Sequence, residues 1–198
     1  MTQEMPTVEG LLTLAHLKDP GVAKKGLLAI YPTSESTQGL ISKELAERLW
    51  SQVYEYTKAR GLGKVRHVLE IISFVFCEEF CTKTNVGHMR EIFQELDRKV
   101  KAPNLNHPFI AKALYGNFLK IIDDFLEFCS DSKVMKEAIE LLGPELVKLF
   151  VNAKNTTLDS VLIRTKTAEC ILGCLDKPGK ISFCTLQIAF ILFQNILS

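Results

Sequence analysis

Apolar residues crowd one stretch of the chain more densely than any other. Between Lys64 and Cys81, Val65, Val68, Leu69, Ile71, Ile72, Phe74, Val75, Phe76, Cys77, Phe80 and Cys81 leave only Lys64, Arg66, Glu70 and the Glu78-Glu79 pair to meet water. A helix apolar over most of its circumference must be enclosed by other helices, so the spacing predicts a buried helix from Lys64 to Cys81 at the centre of the fold.

Amphipathic segments cut by Gly, Pro and polar caps supply the cover. Thr7 caps a segment with Val8, Leu11, Leu12, Leu14, Ala15 and Leu17 at helical spacing. Asp19-Pro20 reads as a cap followed by proline at the first helical position, opening a helix through Leu27, Leu28 and Ile30 that Pro32 stops. Thr33 to Gly39 is a connector. From Leu40 to Arg60, Leu45, Leu49, Val53 and Tyr56 form one stripe beside Ala46, Trp50 and Tyr54, and Gly61 and Gly63 end the helix. The turn is short enough to force an antiparallel hairpin with the Lys64 helix.

Beyond a separator at Asn85 to Gly87, Met89, Ile92, Phe93, Leu96 and Val100 make a stripe that ends before Pro103. Asn106 caps the next helix, which runs through Leu114, Phe118, Ile122 and Phe125 to Cys129, with Gly116 inside it as a close crossing, a kink or a flexible point. Ser130 to Ser132 opens a short helix that Gly143-Pro144 breaks, and a further short helix follows through Phe150. Thr156 or Thr157 caps a segment with Leu158, Val161, Leu162, Ile171 and Leu172, and after Lys177-Pro178-Gly179 the run Ile181 to Leu197 carries no charge. Alternating strand patterns with hairpin dipeptides are absent.

This alternation, about ten helices in roughly five antiparallel pairs, resembles HEAT or armadillo-type helical repeats over nearly the whole chain. The resemblance implies an all-α fold of stacked antiparallel helical pairs, a solenoid segment. No run superposes on another at constant period, so a compact irregular helical bundle is the alternative. Residues 1–198 read as a single all-helical domain. The abrupt apolar end suits an N-terminal fragment of a longer protein or an oligomer, because a terminal solenoid helix needs a polar outer face.

Charge adds little: 24 Lys plus Arg face 23 Asp plus Glu in 198 residues, so no bulk field points to nucleic acid or an anionic membrane. The opening MTQEMPTVEG lacks the basic and apolar regions of a secretory signal, so the expected location is the cytoplasm or nucleus, not secreted, with the six cysteines reduced.

Lys58, Arg60, Lys64 and Arg66 form the densest basic cluster, a candidate contact patch for nucleic-acid phosphate or an acidic peptide, and Arg90, Arg98, Lys99 and Lys101 form a second. Cys77/Cys81 and Cys170/Cys174 are each spaced by four, which would allow a four-thiolate zinc site between two helices, but their apolar surroundings favour buried thiols. His16, His67, His88 and His107 have no metal-type spacing, and the Asp123-Asp124 pair with Glu127 reads as a solvated face. With no nucleophile elbow or phosphate loop, no catalytic residue, cofactor or metal is assigned.

The expectation is a non-catalytic scaffold or complex subunit that binds a helix or peptide of another protein, self-association included. The alternatives are a nucleic-acid-associated domain using the 58–66 cluster and a membrane-anchored helical bundle regulator. Phe190 and Phe193 in the uncharged C-terminal run are the candidate apolar interface; its amides at Gln187, Gln194 and Asn195 favour burial by protein over lipid.

Overall fold

A computed structural model describes residues 7–59, 61–100, 108–152 and 158–175; Arg60, Lys101, His107, Cys184, Phe190, Phe193 and the whole Ile181 to Leu197 run lie outside them. Among the described residues there are eight α-helices and no strand.

The first helix, α1 (Val8–Leu11), is capped by the Thr7 hydroxyl, which accepts from Gly10 N at 3.0 Å. It is shorter than its periodicity predicts. Leu12 and Leu17 are both fully buried, and on one helix five residues would separate them by about 140°. The chain turns instead into a 3-10 segment, His16–Lys18, leaving Leu14 exposed. His16 Nδ1 lies 2.9 Å from Gly10 O and 3.1 Å from Leu11 O, which fastens the turn. Helix α2 (Pro20–Ile30) follows the expected plan, with Asp19 Oδ1 accepting from Val22 N at 3.3 Å and the chain leaving helix before Pro32.

Ser42 caps α3 (Lys43–Lys58), which buries Leu45, Ala46, Leu49, Trp50 and Val53. Gly61 makes the turn into α4 (Leu62–Val75), so Gly63 belongs to the first turn of α4 and terminates nothing. The predicted buried helix also stops six residues before Cys81. Phe76 is extended (φ −60°, ψ 134°), Glu78–Phe80 forms a 3-10 turn, and the Phe76 and Phe80 rings stack with centroids 5.1 Å apart. A straight helix would set Val75 and Phe80 about 140° apart, whereas the bend buries both.

The expected separator at Asn85 to Gly87 is instead the first turn of α5 (Lys83–Val100). Thr82 Oγ1 accepts from Asn85 N at 3.2 Å, and the buried Asn85 amide donates from Nδ2 to Phe80 O at 3.0 Å, holding the bend from its far side.

Helix α6 (Pro108–Phe128) leads into α7 (Ser132–Asn152), whose N-terminus is capped by Asp131 Oδ1 accepting from Lys133 N at 2.7 Å and Val134 N at 3.2 Å. Gly143-Pro144 does not break α7. Met135, Ile139, Leu142, Leu146 and Phe150 keep one buried stripe running through it, while Pro144 and Glu140, four residues earlier, are exposed. The carbonyl that Pro144 cannot serve thus faces the wet side, where water can take it. Helix α8 (Leu158–Leu175) is the last described.

The helices pack in two rows. In one, α4 lies against α2 and α6, and α6 against α8; in the other, α5 lies between α3 and α7. The α3/α4 and α7/α8 pairs join the rows at either end. Between them, Phe118 of α6 meets Trp50 of α3 edge-on at 6.2 Å and Phe93 of α5 at 5.2 Å. Polar ties run along the rows: Lys24 Nζ to Glu70 at 2.6 Å joins α2 to α4, Gln94 Nε2 donates to the buried Glu145 at 2.8 Å between α5 and α7, and Cys170 Sγ donates to Leu119 O at 3.4 Å between α8 and α6.

Candidate interaction surface

The described members of the basic cluster, Lys58, Lys64 and Arg66, are each engaged by contacts within the chain. Lys58 Nζ sits 4.0 Å above the Tyr54 ring, whose hydroxyl, first among several contacts, raises the lysine's pKa. Lys64 Nζ donates to Lys18 O at 2.9 Å, closing the end of the 3-10 segment. Arg66 Nε donates to Glu70 Oε1 at 2.9 Å. Lys64 and Arg66, two apart on a helix, point about 200° from each other. In the second cluster, Arg98 pairs with Glu95 and the buried Lys99 approaches it at 3.8 Å.

Glu70 is the electrostatic hub of the N-terminal half. Burial pushes its carboxyl up, but hydrogen bonds from Lys24 and Arg66 outweigh that and hold it below its usual 4.5. His67 Nδ1 stands 3.3 Å from the same carboxylate. His88 packs its ring against Tyr54 with centroids 6.2 Å apart.

The two cysteine pairs do not come together as one set of ligands. Cys77 and Cys81 leave helical spacing at the bend, and the Cys81 thiol lies within hydrogen-bonding reach of Cys129 at the end of α6. Cys170 meets Leu119, ten residues earlier on α6, which is about 15 Å of helix away. Burial, then neighbouring groups, push the Cys81 thiol up, and burial followed by Asp123 pushes Cys170 up to about 12; both are held as thiols at neutral pH. Among the described residues no group of three or more His, Cys, Asp or Glu side chains is placed to hold a metal ion.

Two grooves open on the α2–α4–α6–α8 row. One, of about 380 Å³, runs between α6 and α8 and is lined by Gly116, Leu119, Lys120, Asp124, Ile163 and Lys166 among others. The second, of about 320 Å³, lies among α2, α4 and α6, over Leu27, Leu28, Ile71, the half-buried Phe74 and Asn117. Lys120 lines both, so they adjoin. The Asp123-Asp124 pair stands on the first groove, with Asp124 accepting from Lys120 at 2.8 Å and Lys166 held by Glu169 at 3.1 Å.

Sequence reasoning missed these grooves, because each is made by the distance between helices separated by a whole intervening helix. The one local signal was Gly116. It marks no close crossing among the described residues, where a Cβ would meet no atom within 4 Å.

No helix among the described residues is long and apolar enough to cross a membrane. Comparison with models of protein families, with characterised proteins and with solved structures finds no significant match.

Proposed function

We propose that the chain is a non-catalytic protein-interaction module of the cytoplasm or nucleus, a short solenoid of the HEAT or armadillo kind whose α2–α4–α6–α8 row receives a helix or peptide of a partner protein. The observation that carries this reading is the packing of each helix of a row on the next but one in the chain, which lays out a side-by-side surface with two adjoining grooves. Stacked helical pairs recognise other proteins through such extended faces. The ionic groups near the grooves are tied in pairs such as Lys120–Asp124 and Lys24–Glu70, an arrangement suited to a mixed protein surface more than to a polyanion.

The test is crosslinking in cells followed by reconstitution of the identified pair from purified chains. A stoichiometric complex that survives moderate salt supports the reading. Retention of DNA or RNA that falls steeply with salt, and disappears on reversing Lys64 and Arg66, would replace it with the nucleic-acid reading. Release from membranes on removal of residues 180–198 would replace it with the anchored-bundle reading.

A further inference from the structure

We infer that the α6/α8 groove takes a short amphipathic helix from a protein partner, acidic at one end and basic at the other, with an apolar side chain seated beside Gly116. This rests on the reading of the chain as a protein-interaction module and names the partner's chemistry.

Gly116 lies well inside α6, where glycine costs about 1 kcal/mol relative to alanine. Nothing among the described residues requires it, since a Cβ there would meet none of their atoms within 4 Å. Gly173 on the opposite wall is different: a Cβ there would come within 3.2 Å of Leu126 Cδ1, so helix packing accounts for it. At Gly116 the missing side chain instead widens the groove directly above Leu119, Ile163 and Cys170, an apolar floor.

The two walls run in the same direction, because Cys170 meets Leu119 and Gly173 meets Leu126. Charges are therefore ordered along the groove. Lys112 stands toward the N-terminal end and Asp123 and Asp124 toward the C-terminal end, with Lys120 and the Lys166–Glu169 pair between them. Lys112 and Asp124 are twelve residues apart, about 18 Å of helix, or roughly three turns. Three cations and three acids leave no net charge to draw a phosphate chain, and the acidic end would repel one. A helix of about the same length complements the wall when its own charges run in the opposite order around an apolar anchor.

The experiment selects binders to the purified chain from a displayed library of amphipathic helical peptides about four turns long. Enriched peptides are expected to carry acidic residues at one end and basic residues at the other. Their affinity should fall about tenfold or more in Gly116→Trp, stay within about threefold in Gly116→Ala, and fall about tenfold when Lys120→Asp and Asp124→Lys are made together, which keeps the ion pair but inverts its order. Both glycine variants should melt at or above the parent temperature, since any side chain restricts the unfolded chain more than glycine does.

Absence of enriched peptides, binders without charge order, or equal binding to Gly116→Trp would each overturn the inference. A fall in melting temperature confined to Gly116→Trp would assign the groove to the chain's own residues, and a dimer lost in that variant would assign it to a second copy; either outcome also overturns it. A reconstituted natural partner that still binds Gly116→Trp would sink the groove while leaving the module reading intact, whereas failure to find any partner would sink both.

Discussion

Phe118 and Phe74 are both phenylalanines on amphipathic helices, and their periodicity alone would rank them equally. Phe118 is fully buried between Trp50 and Phe93, whereas Phe74 is half-buried at the edge of a groove. Phe118→Ala is therefore expected to destabilise the fold by about 3–5 kcal/mol and Phe74→Ala by less than about 2 kcal/mol, measured by denaturant unfolding. Glu70 carries a pH dependence. Its folded pKa lies below the usual 4.5 because donors from Lys24 and Arg66 overcome its burial, so its contribution to stability is present above that value and is lost as pH falls through the depressed one. In Glu70→Gln the acid limb of the stability curve should start from a lower plateau and fall less between pH 5 and the acid end, about the window set by a carboxylate of this kind. An unchanged acid limb would show that the contacts of Lys24 and Arg66 add nothing to folding.

At the scale of elements, the legible parts were those encoded within a few neighbouring residues. Thr7 and Asp19-Pro20 place the starts of α1 and α2 because a cap acts on amides two or three positions away. The end of α4 was illegible for the opposite reason. Val75, Phe76, Cys77 and Phe80 continue an apolar run with no Gly or Pro, and the bend depends on an aromatic stack and on an amide arriving from the next helix. Asn85→Ala would leave Phe80 O without that donor in a buried place, and is expected to cost about 1–3 kcal/mol. Amide exchange should speed up at residues 76–86 first; uniform acceleration through α3 and α4 would mean the asparagine does not act locally. Pro144 misled in the reverse direction, since a residue that normally stops a helix is harmless where its unserved carbonyl faces water.

The whole molecule is set by which helices become neighbours, and that is where the sequence was least informative. An amphipathic stripe says that a face is covered but not by what, so the hairpin of α3 and α4 was readable while the rows, and with them the α6/α8 groove, were not. If the rows extend as a solenoid, small-angle scattering should return a radius of gyration well above the value of about 16 Å for a compact chain of this length. A value at that figure would favour the compact bundle. The row packing also has a consequence for synthesis. Lys24 and Glu70, Gln94 and Glu145, Leu119 and Cys170, and Glu78 and Ser130 are separated by 46, 51, 51 and 52 positions respectively, so each helix meets its partners soon after they are made. Each tie closes a loop of about a quarter of the chain, so it forms only once the whole intervening helix has been made, and the rows consolidate helix by helix from the leading end as it leaves the ribosome.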